Sequence, residues 1–61
     1  MTDLQALAVG ALLGWVMRAP DYGLRLRPEI ERDEDGNYLP TFVIVGLDSG
    51  DRVRVTVEPE P

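Results

Sequence analysis

Two hydrophobic patterns meet near Ala19-Pro20. Ahead of that point, "AVGALLGWVM" (Ala8 to Met17) is a run of small, aliphatic and aromatic residues, and no residue from Ala6 to Met17 is charged. Behind it, apolar and polar residues alternate. "YGLRLRPEIER" sets Tyr22, Leu24, Leu26 and Ile30 on one parity and Arg25, Arg27, Glu29 and Glu31 on the other. "RVRVTVE" sets Val53, Val55 and Val57 against Arg52, Arg54 and Thr56. This is the period of strands with one buried face. "LPTFVIVGL" is apolar on both parities, with Phe42 and Ile44 against Val43, Val45 and Leu47, which marks a central strand covered on both sides. "DEDGN" (Asp33 to Asn37) and "DSGD" (Asp48 to Asp51) have the composition of turns.

The pattern predicts one small α+β domain over 1–61, an N-terminal helix packed on a three-stranded antiparallel meander in spatial order 1-2-3. The helix should cover about 3–18, the strands about 22–32, 38–47 and 52–58, and an acidic, proline-rich tail 58–61. Thr2 is placed to cap the helix, Asp3 lies in its positive first turn and Arg18 in its negative last turn. Pro20 disfavours helix at Ala19 and stops the run. Pro28 has no N–H, so its strand belongs at a sheet edge or breaks there. In the second hairpin an even loop, either Ser49-Gly50 or Asp48 to Asp51, sets Ile44 opposite Val55 and Phe42 opposite Val57. An odd loop would exchange the two faces of the strand.

At 100° per residue, Leu4, Leu7, Ala8, Ala11, Leu12 and Trp15 gather on one broad helix face, wide enough to cover three strands. Val9, Leu13 and Val16 form a second sector, and Ala6, Gly10 and Gly14 a third, narrow one. Three short strands cannot enclose all three sectors, so the second and third are expected to meet another chain. The "GALLG" spacing of Gly10 and Gly14 permits close approach of a second backbone; alternatively these glycines let the helix sit close to its own sheet. On the outward face of the sheet, Arg25, Arg27, Arg52 and Arg54 flank the stripe Val43, Val45, Leu47. Two arrangements fit that pattern. Either the stripe is an apolar interface with a polar rim, or the arginine stems cover the valines and their heads pair with Glu29, Glu31 or solvent. In the first arrangement an acid at Val45 would be tolerated by the free chain.

Composition narrows the partners. A chain of 61 residues buries only about 60% of its unfolded surface, and chains of this size usually add disulfides, a metal or a partner chain. Cys and His are both absent, which leaves association with protein as the expected route. The net charge of −5 disfavours nucleic acid and anionic lipid, and the inward parity of Tyr22 and Phe42 leaves the basic sheet face without stacking aromatics. The apolar run from Leu4 to Met17 is shorter than the roughly 20 residues a bilayer span takes. The N-terminus also lacks the basic start and cleavage site of a signal peptide. Glu31, Asp33 and Asp35 ahead of Gly36 resemble the opening of a calcium loop, but the closing acid would fall at Phe42, so a solvated turn is expected and no metal site. Without His or Cys, and with Ser49 in a turn that offers no base, no nucleophile–base pair can be drawn and no catalytic residue or cofactor is assigned.

The expectation is therefore a non-enzymatic subunit that assembles with itself or with a larger protein assembly. Its most specific form is a small decoration or minor capsid-type protein of a virus or phage particle. The alternative is a small soluble regulator or inhibitor docking its sheet face on one protein target. A membrane-surface role trails both, because the helix has no basic face for lipid headgroups. The candidate interface comprises Ala6, Val9, Gly10, Leu13, Gly14 and Val16 on the helix, and Val43, Val45 and Leu47 with Arg25, Arg27, Arg52 and Arg54 on the sheet.

Overall fold

A computed structural model of the chain describes residues 1–60; Pro61, the last residue of the expected tail, lies outside the described residues. Helix α1 runs Asp3–Met17 and begins with a capping box. The Gln5 backbone N–H donates to Thr2 Oγ1 at 3.1 Å, and Thr2 N–H donates to Gln5 Oε1 at 2.7 Å. Two amides that a helix N-terminus leaves without partners are thereby satisfied. The helix gives way to a single 3-10 turn, Ala19–Tyr22, with Pro20 in its first positions and Gly23 closing it at φ 77°. Gly23 N–H donates to the Pro20 carbonyl and Leu24 N–H to the Ala19 carbonyl, each at 3.1 Å. This turn takes up the residues from which the first strand was expected to start, so strand β1 begins only at Leu26 and runs to Arg32. Tyr22 and Leu24 are exposed rather than inward-facing.

Strands β2 (Tyr38–Gly46) and β3 (Arg52–Thr56) complete an antiparallel sheet in the order β1-β2-β3. Pro28 thus sits in an edge strand, where a missing N–H does least harm. The first turn is built by Asp33, whose Oδ1 accepts from the N–H groups of Asp35 and Asn37 at 3.0 and 2.9 Å, with Gly36 at φ 85°. Past it, Ile30 pairs with Phe42 but Arg32 with Tyr38, so Glu31 on β1 faces three residues, Leu39, Pro40 and Thr41, on β2. Pro40 cannot donate to a ladder, and the bulge removes that demand. Its carbonyl remains in use and accepts from Val57 N–H at 2.8 Å.

The second hairpin keeps the expected parity but is shifted by two residues, with Ile44 opposite Val53 and Phe42 opposite Val55. The loop is Leu47 to Gly50, still four residues long, because Gly46 N–H bonds the Asp51 carbonyl at 2.9 Å and the Gly46 carbonyl accepts from Gly50 N–H at 2.8 Å. A Cβ on Gly46 would stand 2.9 Å from Ser49 Oγ, so a side chain there would make the Ser49 hydroxyl, which accepts from Asp51 N–H, turn away. Both even registers preserve the inward and outward faces, and the backbone hydrogen bonds of Gly46 distinguish between them.

The fully buried side chains are Phe42 on the sheet and Val16 and Ala19 on the helical side, joined by Val43 and Val45 on the opposite sheet face. This is a small core. The radius of gyration is 12.4 Å, against about 10.5 Å for a compact domain of this length. The accessible surface is 4784 Å², against roughly 4,000 Å² for a compact chain of this mass.

Candidate interaction surfaces

The sheet face opposite the helix carries Arg27 and Glu29 on β1, Val43 and Val45 on β2, and Arg52 and Arg54 on β3, in the register Glu29–Val43–Arg54 and Arg27–Val45–Arg52. Arg52 Nη2 reaches Glu29 Oε1 at 2.5 Å, and Arg54 Nε reaches Glu31 Oε1 at 3.1 Å. Each pair runs diagonally across β2, so the side chains from the two edge strands close over the valines. Val43 and Val45 are only 6% and 7% exposed, although no further layer of secondary structure lies on that side. The arginine stems supply apolar cover while the charged heads stay at the water. Of the two arrangements the sequence allowed, the structure adopts this one. Val43 and Val45 are core side chains, and the stripe expected as an apolar interface is closed by the chain itself. Leu47 lies in the exposed turn; Arg25 pairs with Asp48 at 2.7 Å beside it, and Arg27 is exposed.

Ion pairs this exposed contribute little by charge, typically 0–1 kcal/mol each, so the cover itself should matter more. Arg54→Met, which keeps an unbranched apolar stem, is expected to change urea-unfolding stability by under about 0.5 kcal/mol, whereas Arg54→Ala should cost about 1 kcal/mol. Equal losses for both variants would show that the charge rather than the stem protects Val43.

The helix is turned about its axis relative to the expected orientation. Val16 is buried, Val9 and Leu13 are partly buried, and Val9, Gly10 and Leu13 face Ile30, Leu39 and Phe42 across an open apolar groove of about 230 Å³. Ala6 and Met1 line the same groove at its N-terminal end. The sector predicted to meet another chain is therefore the one that packs on the sheet. Conversely, the face assigned to the sheet is largely outside, with Leu4 76%, Leu7 71% and Trp15 49% exposed. Ala11 and Met17 are exposed as well, and Leu12 partly so at the margin. The reason is that a helix apolar all round carries almost no amphipathic signal, so specific anchors set its rotation. One is the Gln5 side chain, whose Nε2 donates to the Val57 carbonyl at 2.9 Å and ties that side of the helix to the chain leaving β3. Another is the buried Val16–Ala19 end, which turns directly into the sheet.

Gly10 and Gly14 are not needed for packing within the chain: a Cβ at either position would meet nothing within 4 Å. Each nevertheless costs about 1 kcal/mol relative to alanine in a helix. Reasoning from the sequence missed Leu4, Leu7, Ala11 and Trp15 as exposed residues, although a signal was present. Asp3 and Arg18, the charged residues at the two ends of the helical segment, project on the wheel to the same side as these four, and charge marks the solvent side.

Elsewhere the chemistry is spare. The acidic turn uses the Asp33 carboxylate to hold its own backbone, and among the described residues no group of three or more potential ligands is placed to hold a metal ion. Among the described residues no helix is long and apolar enough to cross a membrane. Comparison with protein-family models, with curated proteins and with solved structures returns no match to this chain. Its functional reading accordingly rests on its surface.

Proposed function

We propose that this chain is a non-enzymatic interaction subunit that docks on protein through the outer face of α1. The observation that carries the reading is the exposed row Leu4, Leu7, Ala11 and Trp15. A soluble monomer normally places polar residues on the outer face of a helix, and burying each large apolar side chain would contribute about 1.5–3 kcal/mol. A decoration or minor capsid-type subunit of a particle is the narrower form of this reading. In place of the sheet-face docking considered from sequence, the closed valine stripe directs the proposal to the helix.

The test is the double variant Leu4→Gln, Leu7→Gln. Because neither side chain is used by the sheet, thermal melting in dilute solution should differ from the parent by no more than surface substitutions usually cause, within about 0.5 kcal/mol per site. The same variant should lose the association-dependent gain in melting temperature that the parent shows with a protein partner. Collapse of the dilute variant would show that this face belongs to the core and would remove the reading.

A further inference from the structure

Building on that reading, we infer that the occupant of the outer helix face is a second copy of this chain, its helix laid antiparallel across a two-fold axis near Ala11. A two-fold interface requires a patch complementary to itself, and this face meets that demand in shape and in charge. Its bulky aliphatic residues, Leu4 and Leu7, lie toward one end, while at the other Ala11 and Gly14 leave a shallow strip beside Trp15. Reversal about the proposed axis brings Leu7 of each copy over Gly14 of the other. The two copies of Ala11 meet at the centre, where the backbones can approach closely. The open space beside Gly14 is then filled by the neighbour's Leu7, which gives a reason for a glycine that packing within the chain does not require.

Charge points the same way. The whole chain carries −5, which would oppose self-association through most of its surface. The outer helix face, however, bears one acid and one base. Asp3 and Arg18 lie at its opposite ends, and neither forms an ion pair among the described residues. Antiparallel pairing sets each Asp3 beside the partner's Arg18 and aligns the two helix dipoles head to tail; parallel pairing would set like charges together.

The cysteine-free chain allows a direct test by sedimentation and oxidative cross-linking between about 5 and 200 μM, on the full chain. The parent should move from monomer to dimer across that range, and Ala11→Cys, near the axis, should form a disulfide-linked dimer within the usual Cα separation of such bonds. Leu4→Cys should not, since the two copies of that position would lie about 20 Å apart along antiparallel helices. Gly14→Leu should stay monomeric throughout with an undiminished melting temperature in dilute solution. A parent that remains monomeric at 200 μM overturns the inference, as does cross-linking at Leu4→Cys, or a Gly14→Leu chain that dimerises like the parent. The broader reading would still be judged separately, by whether the Leu4→Gln, Leu7→Gln chain folds.

Discussion

Phe42→Ala is expected to leave the chain largely unfolded at 25 °C. Phe42 is 1% exposed and, with Val16, is one of the two largest fully buried side chains. Truncating a buried phenylalanine removes its transfer free energy and leaves a cavity, together about 3–5 kcal/mol. A single hydrophobic core in a chain below about 70 residues rarely supplies more than about 3–5 kcal/mol in total. The loss is thus as large as the stability it is taken from. Circular dichroism through a urea titration reads the outcome directly: a cooperative transition displaced by under about 1 kcal/mol would mean that the core lies elsewhere.

The second large effect separates two neighbouring valines on one strand. Val43→Asp should unfold the chain, whereas Val45→Asp should weaken it and still leave it folded. Both sites are buried beneath the arginine cover, and both variants lose apolar burial. Their cross-strand neighbours differ. Val43 lies between Glu29 and Arg54, and Val45 between Arg27 and Arg52. An acid at position 43 stands beside a like charge and competes for an arginine already drawn toward Glu31, while one at position 45 has no acid opposite it and is flanked by Arg27 and by Arg52, which also pairs with Glu29. Like charges directly opposite are unfavourable and opposite charges favourable, by roughly 0.2–1 kcal/mol per pair, and a charge left buried without a partner costs about 3–5 kcal/mol. Equal stability for the two variants, or Val43→Asp no weaker than the parent, would refute the description of this face as a closed, charge-covered core.

These two positions also show which parts of the fold could be read ahead of the structure. Alternation through Arg52–Val57 and Leu24–Glu31 marked the two outer strands, and the doubly apolar run around Phe42 marked the central one, because strand period is written directly in side-chain type. Thr2, Asp3 and Pro20 bounded the helix by the same directness. The rotation of that helix was marked only at its ends: every sector from Ala6 to Met17 is apolar or small, so Asp3 and Arg18 alone pointed to the solvent side, and the hydrogen bond from Gln5 to the Val57 carbonyl fixes the orientation. The shift of two residues in the second hairpin escaped for a related reason: all even loops obey the hydrophobic pattern, and the backbone hydrogen bonds of Gly46 with Asp51 and Gly50 distinguish among them. On the outward sheet face the residues were found from sequence, but whether the valines or the arginines would be outermost depended on where Glu29 and Glu31 stood across β2.

The central claim is that the outer face of α1 is a surface awaiting another chain, so the helix should be the least secured element when the chain is alone. Hydrogen exchange on the dilute monomer tests this most directly. The account predicts that amides of 6–17 exchange through local opening well before those of 42–45, and gain protection only as association sets in. A strictly monomeric chain in which 6–17 and 42–45 are protected equally, at the free energy of global unfolding, would contradict it.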